Sequence, residues 1–216
     1  MSIVRGQYID KINSIMSPIK IALTGGIACG KSNVAQLFEN LGTEVISLDE
    51  LSRQVVVPGS AGLSELVDHF GDSILEADKS LDRKVLREIL LDNKANQQLI
   101  EDILHPKILE KMQMAIKNSK KSLIIVEIPL LVEKNLAYLF DRAIIIDCNE
   151  QNQLKRLIKR ENIDKNSAKS LIYTQTSAEN RLKLADQLPI DVIENNSEIF
   201  ELKQKVQNLY QKLINL

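Results

Sequence analysis

Residues Lys20 to Ser32 read Lys-Ile-Ala-Leu-Thr-Gly-Gly-Ile-Ala-Cys-Gly-Lys-Ser. Gly25, four intervening residues, then Gly30, Lys31 and Ser32 satisfy the phosphate-loop pattern G-x-x-x-x-G-K-[ST]. An apolar run, Ile19 to Leu23, feeds the loop, and Asn33 to Leu41 continues at helical period. That is the strand, loop, helix order the motif needs. Glycines let the chain curl so that backbone N–H groups point at phosphate oxygens, and the following helix adds its positive N-terminal end. Gly26, Ile27, Ala28, Cys29, Gly30, Lys31, Ser32 and Asn33 are thus expected to cradle the phosphates of a nucleotide. Lys31 would meet the β- and γ-phosphates as a point charge, and the Ser32 hydroxyl would take one Mg2+ position.

The chain has 216 residues, enough for one α/β domain with a small inserted or lid segment. Its 28 basic and 29 acidic side chains leave a formal net charge of −1, which argues against general nucleic-acid or membrane binding and makes any cationic site local. Cys29 and Cys148 have neither a C-x-x-C nor a histidine partner in sequence. This argues against disulfide or zinc roles, makes Cys29 a small filler residue of the loop, and fits a reducing cytoplasm. No stretch approaches the roughly 18 apolar residues of a membrane span. Residues 1–18 are polar and weakly amphipathic and lack the apolar middle of a secretory signal, so they read as a dispensable extension, with Met16 a candidate start.

Downstream, Glu44 to Leu48 reads as a second strand ending at Asp49, followed by a helix over Glu50 to Val57 that stops at Pro58-Gly59. Residues 61–118 are helical almost throughout, too long for one crossover, with His105-Pro106 favouring a helix start. Ser122 to Ile128 and Ala143 to Asp147 are buried-type strands, and Asp191 to Ile193 is a short fifth. The region 150–186 is helical and basic, and Ser197 to Leu216 reads as a closing helix. Strands alternating with helices predict a parallel five-stranded sheet covered on both faces.

Several residues have the chemistry for a site. Asp49, at a strand end, suits a carboxylate that accepts the proton of an attacking hydroxyl, and equally suits a helix N-cap. Arg53 follows one turn later on the same face. Arg156 and Arg160 lie four apart in the basic region and suit charge neutralisation over a triphosphate, against a solvated helix face. His105 suits phosphate binding or a turn cap, His69 reads as structural, and Glu127 suits Mg2+ through water.

Beyond the loop, Leu23-Thr24-Gly25-Gly26-Ile27, Val45 to Val56, Leu104-His105-Pro106, Pro129-Leu130-Leu131-Val132-Glu133, Gln153-Leu154-Lys155-Arg156 and Arg181 to Asp186 occur in order. With the phosphate loop, this set resembles the dephospho-coenzyme A kinase family from about Lys20 to Asn196. The resemblance implies an α/β P-loop kinase fold with a helical acceptor-binding insertion and a lid. It implies a single unit over 19–216: core 19–60, 119–150 and 187–216, insertion about 61–118, lid about 151–186. The implied reaction moves the γ-phosphate of ATP, with Mg2+, to the ribose 3′-hydroxyl of dephospho-coenzyme A. Asp49, Lys31 and Arg156 then fall at catalytic positions, Arg53, His105, Pro129 and Leu130 on the acceptor side, and Asn195 near the adenine.

Three features depart from that family's usual pattern: Ser47 in place of an acid, Cys29 in the loop, and about four extra residues before the last strand. Two alternatives stand beside this reading. A nucleoside monophosphate or shikimate type of kinase shares the loop but not the His-Pro insertion. A GTPase-like switch is suggested by Asp68 to Gly71, which fits D-x-x-G, but the chain has no N-K-x-D element.

Overall fold

The computed structural model describes residues 18–216, so the expected extension, apart from Pro18, and the candidate start at Met16 lie outside the described residues. Five strands, β1 (Ile19–Gly25), β2 (Glu44–Ser47), β3 (Leu123–Glu127), β4 (Arg142–Asp147) and β5 (Ile190–Glu194), form one parallel sheet in the order β2-β3-β1-β4-β5. Nine helices accompany them among the described residues: α1 (Lys31–Asn40), α2 (Leu48–Gln54), α3 (Ala61–Phe70), α4 (Arg83–Asp92), α5 (Lys94–Asn118), α6 (Glu150–Glu161), α7 (Lys165–Tyr173), α8 (Ala178–Leu182) and α9 (Ile199–Leu213).

The register explains why the strands read as continuous apolar runs. Ile21 sits opposite Ile125, and Leu23 opposite Ile144, so these residues share one face with Ile146. That face buries against Val34 and Phe38 of α1 and Leu202 and Val206 of α9. Ala22, Ile124, Val126 and Ile145 alternate to the opposite face and are buried as well. With both faces covered, no polar alternation survives in the sequence. The central β1 has neighbours on both sides, β3 and β4, and its carboxyl end is where the strand order reverses. Open α/β sheets place ligands there.

The described residues divide into two compact units. One comprises 18–46 and 119–216 and holds the sheet, α1 and α6 to α9. The other, 47–118, holds α2 to α5 around its own core of Val55, Val56, Leu63, Leu66, Ile74 and Ile100.

Two local expectations are corrected within the second unit. The helix expected over Glu50 to Val57 begins earlier, as α2, because Ser47 caps it: the Ser47 Oγ accepts from the Glu50 N–H at 3.4 Å. Asp49 therefore lies inside the first turn and is not the N-cap. The helix start expected at His105-Pro106 is also absent, since Pro106 lies inside the continuous α5. An interior proline costs about 3 kcal/mol or more. Ile100, Ile103 and Ile108, on both sides of it, enter one core. Burial of such side chains returns roughly 1.5–3 kcal/mol each, which outweighs the proline. Lys107 braces the same turn, donating to the Ile103 carbonyl at 3.1 Å and to Glu65 of α3 at 2.7 Å.

At the β5 edge, Asp191 accepts from Arg142 of β4 at 2.7 Å and from Lys212 of α9 at 2.6 Å, so one carboxylate ties three elements. Its side chain is only 11% exposed and that of Arg142 16%. Asp191→Ala would strand the arginine and is expected to cost about 2 kcal/mol, below the full penalty for a deeply buried pair. A denaturant midpoint indistinguishable from wild type would show that these ion pairs contribute nothing.

Candidate active site

The phosphate loop is shaped by backbone requirements that only glycine meets. Gly25, at the end of β1, has φ 150°, and a Cβ there would overlap the Ile146 carbonyl oxygen of β4. Gly30 has φ 98° and serves as the N-cap of α1. It caps without a side-chain oxygen, and the first turn of α1 holds no acidic residue. The positive end of the helix is therefore left to an anionic ligand. Lys31 folds back over the loop and donates to the carbonyls of Gly25 and Gly26, each at 3.0 Å. Its ammonium is thus held above the curl where phosphate oxygens would lie.

The Ser32 hydroxyl, one turn position further on, donates to Glu127 Oε1 at 3.1 Å. Ser32 belongs to α1 and Glu127 ends β3, so the parallel register of β1 and β3 brings the two together. A hydroxyl and a carboxylate are hard oxygen donors, suited to Mg2+ that keeps several waters. The donor set therefore fits the expected ion.

Residues from the carboxyl ends of β4 and β5 and from α6 to α8 close around the loop. Gln175 Oε1 accepts from the Ile27 N–H at 2.7 Å, and Gln153 Nε2 donates to the Ile27 carbonyl at 2.9 Å. Arg156 donates to the Cys29 carbonyl at 3.4 Å and to the Asn195 carbonyl at 2.9 Å. Asn195 is buried, and its Nδ2 donates to the Cys29 carbonyl at 2.8 Å. Its backbone N–H donates to the Asp147 carbonyl, also at 2.8 Å.

The basic residues of the 150–186 region separate into distinct environments. Arg156 reaches the loop, whereas Arg160 is exposed and pairs with its neighbour Glu161 at 2.8 Å. The two therefore do not act as the pair their spacing suggested. Arg181 is 7% exposed, donates to the Thr176 carbonyl and lies 3.9 Å from Asp147. A Cβ on Gly26 would meet Arg181 Nη2 at 3.1 Å and Gln153 Nε2 at 2.8 Å, which places both side chains against the loop.

Gln153 and Gln175 were not singled out from sequence. Gln153 sits in the recognisable segment ending at Arg156, but a glutamine has no intrinsic signal, and Gln175 lies in a turn with none. Cys29 likewise has an unforeseen neighbour. It is fully buried and shares one buried cluster with Cys148, which lies just beyond β4. Its interaction with the Cys148 thiol holds the Cys29 thiol below its ordinary range, helped by the charges of Arg181 and Lys31 and opposed by burial and by Asp147. The same interaction pushes Cys148 up, with burial adding to it. Both residues are free thiols.

Pro129 and Leu130 lie just beyond β3, after the buried Ile128, and belong to the same unit as the loop, with Leu130 exposed. Asp49, Arg53 and His105 belong to the unit 47–118. Asp49 and Arg53 are exposed on α2, and the Asp49 carbonyl accepts from Ser52 Oγ at 2.7 Å. His105 is half-buried on α5.

Comparison with known proteins adds an independent line. The family model described as dephospho-CoA kinase matches residues 19–201. A dephospho-CoA kinase of Vibrio vulnificus strain CMCP6 is 39% identical over 195 residues, covering 90% of this chain and 95% of the relative. Among solved structures, the dephospho-CoA kinase from Campylobacter jejuni matches with a TM-score of 0.65 at 28% identity, covering 90% of this chain and 96% of that one. A shikimate kinase from Acinetobacter baumannii, in complex with shikimate, matches with a TM-score of 0.52 at 15% identity, covering 93% of this chain and 97% of that one. This last likeness extends to the P-loop kinase fold alone. A family match over most of the chain, joined to a phosphate loop seated at the switch point of a five-stranded parallel sheet, means that this protein belongs to the dephospho-CoA kinase family.

Proposed function

We propose that this kinase phosphorylates the ribose 3′-hydroxyl of dephospho-coenzyme A at the expense of ATP, the last step of coenzyme A synthesis. The observation that carries the reading is the family match over residues 19–201, which runs through the phosphate loop and the segments around Asp49, His105 and Arg156. The residues 26–33 cradle the triphosphate, with Lys31 on its β- and γ-oxygens. Ser32 and Glu127 would hold Mg2+, the latter through water, and the ion supplies neutralisation of phosphate charge. Asp49 accepts a hydrogen bond from the 3′-hydroxyl, aims its oxygen at the γ-phosphorus and takes its proton. Arg53, His105, Pro129 and Leu130 bind the acceptor, and Asn195 lies on the adenine side.

No helix among the described residues is long and apolar enough to cross a membrane. Two free thiols and ATP dependence support a cytoplasmic site of action. The direct test is formation of coenzyme A from ATP, Mg2+ and dephospho-coenzyme A by the purified protein. A panel with nucleoside monophosphates and shikimate as acceptors, and GTP as donor, would overturn the assignment if any of these turned over faster.

Arg156 has a role of its own in this reading. Its guanidinium spans the Cys29 and Asn195 carbonyls, so it sits over the loop where charge develops during transfer. Arg156→Ala is expected to lower kcat roughly a hundredfold while leaving the acceptor KM within about threefold. Unchanged turnover would reduce Arg156 to a brace between α6 and β5.

A further inference from the structure

We propose that Cys29 and Cys148 are a reversible oxidation site: peroxide joins them in a disulfide that distorts the phosphate loop and weakens nucleotide binding. The two residues are 119 positions apart in sequence, yet the sheet order sets the ends of β1 and β4 side by side. Cys29 immediately precedes Gly30 in the loop, and Cys148 immediately follows β4. Both belong to one buried cluster, with exposures of 0% and 8%.

Backbone contacts hold the pair in place. Asn195 donates from its side chain to the Cys29 carbonyl and from its backbone to the carbonyl of Asp147, the residue before Cys148, each at 2.8 Å. Arg156 bridges the Cys29 and Asn195 carbonyls. The two chain segments are therefore pinned through one asparagine, and both side chains lie in the same buried cluster. The pair is chemically unequal. The Cys148 thiol is pushed up and keeps its proton, while the Cys29 thiol is held down, the positive charges of Arg181 and Lys31 favouring its thiolate.

The reaction balances with hydrogen peroxide, an oxidant small enough for a buried sulfur. The Cys29 thiolate attacks one peroxide oxygen, the O–O bond breaks, and the other oxygen leaves as water after taking a proton. The resulting sulfenic acid is attacked by the Cys148 sulfur, the S–O bond breaks, and the hydroxyl leaves as a second water with the Cys148 proton. Two thiols and one peroxide give one disulfide and two waters. A disulfide holds its sulfurs at about 2 Å, closer than two thiols in van der Waals contact. The Cys29 backbone must follow, and with it the N–H groups that would face phosphate. Linkage requires the reverse effect too: bound nucleotide should disfavour the disulfide at equilibrium.

The proposal rests on the reading of residues 25–32 as a nucleotide site only for its consequence, and the bond itself is measured separately. The purified full chain is treated with hydrogen peroxide, and intact mass with non-reducing peptide mapping is read alongside ATP affinity. The expected result is loss of two hydrogens, a Cys29–Cys148 linked peptide, and an ATP Kd raised about tenfold or more, restored by dithiothreitol. Cys148→Ser should bind ATP as wild type does and lack both the link and the reversible loss. Added oxygen without a link, or a linked protein with unchanged ATP affinity, would overturn the proposal. If the reduced protein did not bind ATP at all, the nucleotide reading would fail, while the linked peptide would still decide whether the site oxidises as proposed.

Discussion

Asp49→Asn is expected to lower kcat by roughly a hundred- to ten-thousand-fold, the range typical of a positioned base, while ATP affinity and thermal stability stay near wild type. The substitution keeps the size of the side chain and removes its charge, so it leaves α2 in place and, on the proposed mechanism, denies the 3′-hydroxyl a proton acceptor. The structure sharpens the control. Because Ser47 supplies the N-cap, loss of a cap is tested at Ser47 and not at Asp49. Ser47→Ala is expected to cost around 1 kcal/mol of stability with little effect on chemistry. Asp49 lies in the first turn of α2, where a negative charge contributes only about 0.3–1 kcal/mol through the helix dipole. Steady-state turnover and melting temperature for the two variants should thus move in opposite patterns. Normal turnover in Asp49→Asn would remove it from the chemistry.

The other large effect is expected at Gly25. Gly25→Ala combines a φ of 150°, which costs of order 1–3 kcal/mol for a residue with a side chain, with a methyl group driven into the Ile146 carbonyl of the adjacent strand. Overpacking of this kind adds typically 1–3 kcal/mol, and here the obstacle is backbone, so no rotamer relieves it. The sum, roughly 2–6 kcal/mol, is a large share of the stability of an ordinary domain. Because Gly25 is the last residue of β1 paired with β4, the strain falls on the strand end that carries the loop. ATP binding should fail along with stability. Gly59→Ala is the matched control: φ is 81°, and nothing lies within 4 Å of an added Cβ. It should show backbone strain alone. Equal denaturant midpoints for the two variants would refute the steric account.

Much of this protein was determined by local pattern. The loop residues 25–32 carry their own signal, since the glycines, the lysine and the serine act through backbone conformation and reach within one turn. The strands were legible for a related reason. A central parallel strand is buried on both faces, so Ile19 to Leu23 and Leu123 to Val126 had to be apolar along nearly their whole length. Helix boundaries were weaker, because caps and prolines compete with packing. Ser47 took the cap that Asp49 could equally have supplied, and the core around Ile100 and Ile103 carried α5 through Pro106. What only the tertiary structure decided is the set of partners around the loop. Gln153, Gln175 and Asn195 bind loop backbone atoms 126, 148 and 166 residues away, and Cys148 joins Cys29 in one buried cluster. Glutamine, asparagine and cysteine carry no period and no fixed spacing that could announce such contacts. Their meeting depends on strand order, which sets the carboxyl ends of β4 and β5 beside that of β1, and strand order is a property of the whole sheet that no segment encodes alone.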